Sequence, residues 1–469
     1  MSLENLPSCD LVMLFVRQFH HFDSPTGTST RNDMNGDRQV TNGEKRDILL
    51  QATNNVLHLP ILFDLAWYVV WAFYIAMAPF YLLCHILFSV LDTLFAIYSF
   101  ARQQVKSLIL FMKGKNGEAR EERAILITGC DSGFGFDLAM ALAAESLSCL
   151  EEEKKEGRRE EPKGRRWRVY AGCLSAKGRE QIIQRAPEAT AHGILVPLSL
   201  DVTQASEVAA AVHRVRAECR GELFALVNNA GIGVAGLVDW MPMEHFRKIM
   251  EVNYFGMIAV SKACLPLLKK TGKQGMRRGK TSHLPSLRPQ IDAPPRIVLV
   301  TSFAGLVPGQ LSMGAYCASK HAAEAFGHAL RSELECWGIR VPILNPTFHS
   351  TALVTAAAGS VEKAYQGMER EKQEEYGETF KEEIVRIASS VTTCASWDPS
   401  NVLRALRHAT TADSPRRQYL IGMDGRFLLS PVMMLPERLV HFLTWLGSRR
   451  YRLCPAARGA GGRKGHKEE

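Results

Sequence analysis

Eleven cysteines are present, yet none forms a Cys-x-x-Cys pair and no Cys/His cluster has zinc spacing, which argues against a structural metal. Several of them (Cys84, Cys173, Cys264 and Cys317) sit in apolar segments, the pattern of buried thiols in a reducing compartment and not of a disulfide framework. Charged residues make up only 22% of the chain against 46% apolar, so most of its 469 residues can fold around a core. Acidic residues are missing from 269–288, which carries Lys269, Lys270, Lys273, Arg277, Arg278, Lys280 and Arg288. The C-terminal stretch adds Arg449, Arg450, Arg452, Arg458, Arg463, Lys464 and Lys467 to a net charge of +9. Both stretches are rich in Gly, Pro and Ser and read as solvated loops. Contact with an anionic lipid surface ranks second, and no nucleic-acid partner is expected.

Lysine and arginine are absent between Arg46 and Arg102, and residues 60–100 within that gap are almost continuously apolar. A bilayer-spanning helix needs about 20 such residues, so the run holds one long tilted span or a hairpin of two short ones. Pro79 lies midway, and Trp67, Tyr68, Trp71, Tyr74 and Tyr81 supply interfacial aromatics. A buried helix of a soluble core needs a polar face, which this run lacks. Asp64 and Asp92 fit interfacial positions, which favours the hairpin. The run starts too late and extends too far for a cleaved signal peptide. Residues 1–55, with five basic and seven acidic side chains, read as disordered and not as a transit peptide. A helical membrane anchor is therefore expected over 56–101. Arg102, Lys106, Lys113 and Lys115 follow it, which puts the main domain on the cytosolic side.

From residue 122 to 446 short apolar strands alternate with amphipathic helices, the rhythm of an α/β fold with a doubly wound parallel sheet. The expected strands are Ala124–Thr128, Arg168–Cys173, Gly193–Leu200, Leu223–Asn228, Arg296–Thr301, Ile339–Leu344 and Gln418–Gly422. Helices are expected over Phe136–Leu150, Ser206–Cys219, Met243–Leu268, Ala318–Trp337 and Val361–Ile387. Two insertions interrupt the scheme: a charged helix extension at 151–166 and a flexible loop at 271–295. Phe427–Leu446 reads as a lid over a pocket or a helix on a membrane, and 447–469 as a basic tail.

The first strand runs into Thr128-Gly129-Cys130-Asp131-Ser132-Gly133-Phe134-Gly135 and then a helix. Glycine suits a tight turn that brings backbone N–H groups close to a pyrophosphate at a helix N-terminus. Asp201, ending the third strand, is placed either to hydrogen-bond an adenine or to serve as a turn or cap residue. Asn228-Asn229-Ala230-Gly231 follows the fourth strand, Asn253 falls in a helix, and Ser302 follows the fifth strand. Tyr316 and Lys320, four apart on one helix face, put an ammonium near a phenol. A free phenol with a pKa near 10 is a poor base, and a neighbouring cation favours its ionised form. Ser302 is placed to donate to a carbonyl oxygen. His321 falls on a different face of the helix, and Cys130 and Cys317 read as buried fillers.

These five motifs, in this order, resemble the short-chain dehydrogenase/reductase family over residues 122–440. Thr128 to Phe136, Tyr170-Ala171-Gly172-Cys173-Leu174 and Glu375-Tyr376-Gly377 are most similar to 3-hydroxybutyrate dehydrogenase. The same branch holds 17β-hydroxysteroid dehydrogenase type 2 and the retinol dehydrogenases, which the hydrophobic anchor resembles. The resemblance implies a Rossmann-type fold with Tyr316 as general acid/base and Lys320 on the nicotinamide ribose. It implies Ser302 orienting the substrate oxygen and Asn253 holding a relay water. For the cofactor it implies Gly129, Gly133 and Gly135 shaping the pyrophosphate loop with Thr128, Asp131, Ser132 and Phe134. Asn229, with Ala230 and Gly231, would lie beside the adenosine ribose, and Thr351 would meet the carboxamide.

The chain departs from the family in three places. One extra residue separates Ser302 from Tyr316, which leaves Thr301 and Ser312 as alternative hydroxyls. Pro346-Thr347 replaces the usual Pro-Gly, and the basic insertion and the anchor are additions to the pattern of 3-hydroxybutyrate dehydrogenase. The second strand ends without a basic residue until Lys177, and Asp131 adds negative charge, so NAD is expected, with NADP kept open by Lys177. The expected activity is interconversion of a lipophilic or small alcohol (steroid, retinoid or hydroxy acid) with its carbonyl. The alternative is a non-catalytic membrane-bound nucleotide-binding scaffold or redox sensor. The endoplasmic reticulum is the first expected location and the mitochondrial membrane the second; a homo-oligomer is expected by analogy.

Overall fold

Strand β1 (Arg123–Thr128) is an unbroken apolar run after its first residue, as a parallel strand covered on both faces requires. Ile125 and Ile127 face one core and Leu126 the other, the alternation of a pleated strand. The structure, a computed structural model, describes residues 122–155, 166–278, 293–307, 311–347, 349, 356–394, 398–422 and 438–440. Residues 79, 83, 87, 90, 93, 94, 97, 98 and 101 are also described. The chain divides into two units, Met1–Phe80 and Tyr81–Glu469, and Pro79 is the one described residue of the first.

In chain order β1 is followed by α1 (Gly133–Lys155), β2 (Trp167–Cys173), α2 (Ala176–Arg185), α3 (Pro187–Ala191), β3 (Leu195–Ser199) and α4 (Ala205–Glu218). Next come β4 (Ala225–Asn228), α5 (Met243–Met250), a π turn (Glu251–Gly256), α6 (Met257–Arg278), β5 (Arg296–Val300) and a 3-10 turn (Phe303–Gly305). Then α7 (Gly314–Leu334), β6 (Ile343–Pro346), α8 (Ala357–Gln366), α9 (Arg370–Tyr376), α10 (Glu378–Cys394), α11 (Ser400–Thr411) and β7 (Gln418–Ile421) complete the described fold.

The seven strands form one parallel sheet in the order β3-β2-β1-β4-β5-β6-β7. The chain winds one way from β1 to β3 and the other way from β4 onward. The loops after β1 and β4 therefore part and leave a crevice at the C-terminal ends of the strands. Helices α1 and α11 bury Leu138, Leu142, Val402 and Leu406 on one face, while α4, α6 and α7 bury Val212, Val260 and Leu330 on the other. Gly133–Glu152 is long and apolar enough to cross a membrane, but its residues Leu138, Ala139, Leu142 and Ala143 pack into this core. It is a core helix.

All seven expected strands are present with shifted ends. The expected loop at 271–295 is corrected: α6 continues to Arg278, and residues 279–292 lie outside the described set. Gly272 reads as a helix breaker in sequence, but its missing Cβ makes room for the Trp337 carbonyl, 2.5 Å from where that atom would sit. Lys269 and Lys273 lie over the Trp337 ring, and the Thr271 hydroxyl donates to Leu223 O at 3.0 Å, so the segment docks on the domain. The single helix expected over Val361–Ile387 is three, broken at Gly367 and at Gly377, whose φ of +78° ends α9. Helices α2, α3 and α11 fill gaps between strands, where helices were expected without stated bounds.

Most of the expected anchor, together with 1–55 and 447–469, lies outside the described residues. Leu83, Leu87, Val90, Leu94 and Ile97 are helical, recur at steps of four and three, and are 47–62% exposed. That spacing places them on one face of a helix, an apolar stripe open to its surroundings.

Candidate active site

A cavity of about 1040 Å³ occupies the crevice. Its floor begins at the loop after β1. Gly129 and Gly133 adopt φ of +71° and +63°, and a Cβ on Gly133 would meet nothing within 4 Å, so that loop lies open to a ligand. At Gly135 a Cβ would lie 2.5 Å from Gly129 O and strike the Asn229 side chain, so the start of α1 packs against the turn without space for a methyl.

Hydrogen bonds fix this loop from two sides. The Thr128 hydroxyl accepts from the Asn229 and Ala230 backbone N–H groups, both at 3.0 Å. Asn229 Nδ2 donates to Thr128 O and Gly129 O, also at 3.0 Å. The Asn229 amide thus braces the two loops, where the resemblance put it beside a ribose. Asp131 accepts from Leu174 N at 2.7 Å, from Ser175 N at 2.9 Å and from the Ser175 hydroxyl at 2.6 Å. Its charge lies where β2 ends. Asp201 lines the cavity and closes an Asx turn onto Thr203 N at 2.9 Å. Ser132, Phe134, Ala230 and Gly231 also line the cavity, whereas Thr351 lies outside the described residues.

Asn253 is fully buried inside the π turn, a local bulge of a kind enriched at functional sites. Its Oδ1 accepts from Ile232 N at 2.8 Å, and its Nδ2 donates to Ile232 O and the Ser319 hydroxyl. Ser302 caps the 3-10 turn, its hydroxyl accepting from Ala304 N at 3.2 Å, and despite the extra residue between them it lines the same cavity as Tyr316 and favours the ionised phenol. Ser312 adopts φ +61° just ahead of α7, a left-handed turn that takes up length in this connection. The Thr301 hydroxyl, one of the two alternatives, is tied 2.9 Å from both Glu324 Oε2 and Leu344 O.

Tyr316 and Lys320 are both buried. Lys320 Nζ donates to Val300 O at 3.1 Å and lies 5.7 Å from the centre of the Tyr316 ring. Burial pushes the phenol up to about 12, opposed by the Ser302 hydrogen bond, and lowers Lys320 to about 8. In the protein alone, desolvation is the largest influence on the phenol. His321 is exposed, with Nδ1 2.9 Å from Cys317 O, and Cys130 and Cys317 are buried.

Three groups here carry no sequence signature. His349 lines the cavity 1% exposed, with Nδ1 3.2 Å from Thr347 O, its ring edge-on to Phe134, and Nε2 buried without a hydrogen-bond partner among the described residues. Glu324 and Asn345 are buried polar residues behind Ser302. The far wall of the cavity is apolar, with Val234, Ala235, Leu311, Met313, Ile387 and Ala388.

Comparison with known proteins gives one answer at the level of family. The profile described as short chain dehydrogenase matches residues 164–276 and 284–360. Retinol dehydrogenase 7 of Mus musculus is 32% identical over 332 residues, covering 70% of this chain and 89% of that protein. Retinol dehydrogenase 5 of Homo sapiens is 32% identical over 330 residues, with 69% and 88% covered. The 17-beta-hydroxysteroid dehydrogenase type 6 of Homo sapiens is 30% identical over 328 residues, again with 69% and 88% covered.

Proposed function

This chain belongs to the short-chain dehydrogenase family, and on that premise we propose that it is a membrane-associated, NAD-dependent enzyme that oxidises a lipophilic alcohol to its carbonyl. The observation that carries the reading is the meeting of Ser302, Tyr316 and Lys320 at one cavity that is glycine-lined at one end and apolar at the other. Two features fit a nicotinamide dinucleotide: the open cradle at Gly133, and the buried His349 Nε2 in the cavity wall, which has no hydrogen-bond partner among the described residues. When bound, such a cofactor supplies a hydride acceptor for the alcohol carbon.

The protein's own residues supply the proton chemistry. Tyr316 takes the hydroxyl proton from the substrate, and Ser302 donates a hydrogen bond to the same oxygen as its charge develops. Lys320, close to the phenol and able to reach a ribose, favours the ionised tyrosine once the site is filled. Asn253 holds the π turn against Ile232 and so shapes the path by which the proton leaves. The Asp131 carboxylate at the end of β2 disfavours a 2′-phosphate, which supports NAD over NADP. The apolar far wall, and relatives named as retinol and hydroxysteroid dehydrogenases, favour a lipophilic substrate over a short hydroxy acid.

The apolar run at 60–100 and the exposed helical stripe from Leu83 to Ile97 support a membrane anchor. The reading puts the chain in the endoplasmic reticulum membrane with its domain in the cytosol. Homo-oligomers form through the helices around the tyrosine motif in this family, and Phe255 is 49% exposed on the π turn, which agrees with that habit. The test is NADH formation by the detergent-solubilised chain with NAD or NADP and a panel of steroid, retinoid, long-chain and hydroxy-acid alcohols. Turnover of one class, lost in Tyr316→Phe, is the expected result. NADH binding without turnover of any alcohol overturns the reading in favour of a nucleotide-binding scaffold.

A further inference from the structure

Tyr316, Lys320 and Glu324 stand at successive turns along one face of α7. Two of them meet consecutive residues where β5 ends, and the third shares the cavity with the next. Lys320 donates to Val300 O, the Thr301 hydroxyl lies 2.9 Å from Glu324 Oε2, and Ser302 lines the cavity with Tyr316. Glu324 is 5% exposed, and its carboxylate collects further donors: Asn345 Nδ2 at 2.9 Å on Oε2, and Gln418 Nε2 at 3.1 Å on Oε1. Asn345 Nδ2 also lies 2.7 Å from the Thr301 hydroxyl and 3.3 Å from Ser302 O, and Gln418 donates to Asn345 Oδ1 at 3.0 Å. From the outer side, His328 Nε2 approaches Oε1 to 3.5 Å.

We propose that Glu324 is a positioning residue for the dehydrogenase reaction: it locks α7 to the ends of β5 and β6 and so holds Tyr316 and Ser302 in their relative places at the cavity. The inference rests on the function proposed above and adds a residue to it. A carboxylate is an acceptor only, and Thr301, Asn345 and Gln418 all present donors to it. A glutamine of the same size would turn its own N–H groups on one of them. Burying a carboxylate is costly unless its oxygens are hydrogen-bonded, so an ordinary helix–sheet contact is better made by an apolar side chain. What distinguishes this site is its place, one helical turn from Lys320 and one residue from Ser302.

The experiment uses the solubilised full chain, on whichever alcohol the panel selects, with Glu324→Gln, Ser302→Ala, the double variant and Thr301→Val. Glu324→Gln is expected to lower kcat by roughly tenfold to a hundredfold, the scale of a small misplacement of a reacting group. NADH affinity and the KM for NAD stay unchanged. The acid limb of the kcat/KM profile moves to higher pH, because Ser302, which favours the ionised phenol, is displaced. Ser302→Ala moves the limb the same way, and the double variant is no worse than Ser302→Ala alone. Thr301→Val, which removes a single partner, gives a smaller shift in the same direction and serves as the readout if Glu324→Gln fails to bind NADH. An unmoved limb, or losses that multiply in the double variant, overturns the role. A wild-type chain that binds NADH but oxidises none of the alcohols overturns the reaction itself, and the role of Glu324 with it.

Discussion

The two ends of the cavity are built on different principles. At the end floored by the glycine loop, positions are set by hydrogen bonds: Thr128, Asn229 and Asp131 together make seven contacts that tie the loop to its neighbours. At the other end, Ala235 and Ala388 line the cavity as the edge of an apolar cluster in which Trp240 packs its ring edge-on to Tyr365, Tyr376 and Phe380, and α8 and α10 meet through Val361, Ala364, Ile384 and Ala388. Directional bonds demand particular residues at particular places, whereas apolar packing asks for volume and roughly the right shape. The first end is built to hold one ligand, and the second accepts change.

The sharpest test lies at the seam between the two ends. Tyr316→Phe is expected to lower turnover by about 10²–10⁴-fold while NADH affinity, measured by fluorescence titration, stays within about twofold. Equal loss of both would mean that the ends are not separable. Next in size is Lys320→Met. The native lysine is depressed from 10.5 unfolded to about 8 folded, so the unfolded chain binds the extra proton between those values. Its stability contribution is therefore present above pH 10.5 and lost as pH falls through 8. Below 8 the folded protein carries a buried charge, and Lys320→Met is expected to stabilise it at pH 7 by about 1–3 kcal/mol while abolishing activity. Thermal unfolding across that range checks it: a gain that does not shrink toward high pH would refute the assignment.

A methyl at Gly135 tests the rigid end. Gly135→Ala forces apart Gly129 O and Asn229, and an overpacking cost of about 1–3 kcal/mol should appear as weaker NADH binding and a lower melting temperature. The smallest effect is expected at the apolar wall. Ala388→Leu or Ile387→Ala should redistribute kcat/KM between bulky and slender alcohols by about tenfold, with NADH affinity untouched. If the wall variants change NADH binding as much as Gly135→Ala does, the contrast between the two ends fails.

Legibility in the sequence followed the same divide. Strands such as Arg123–Thr128 were readable because burial on both faces leaves an apolar run, and the loop from Thr128 to Gly135 because close approach admits only glycine. That Ser302 and Tyr316 share one cavity could be expected from motif order alone, although the left-handed turn at Ser312 between them could not. The region of α8, α9 and α10 was misread as one helix, since Gly367 and Gly377 sit in a pattern that is helical on either side. His349, Glu324 and Asn345 were missed because a buried polar residue acquires meaning from partners distant in sequence; Asn345 meets Thr301 and Gln418.

The strand order also dictates a schedule of assembly. Strand β1 is synthesised first and ends near the middle of the sheet, where Ile125 pairs with Ala225. As the chain emerges from the ribosome, β1, β2 and β3 can associate early, but one edge of β1 stays unpaired until β4 arrives. An apolar open edge of this kind templates wrong partners and makes the half-made protein prone to aggregate. Closing β1 against β4 is a long-range pairing that folds slowly. A chain cut before β4 would keep the glycine loop and lose the cover of its own central strand.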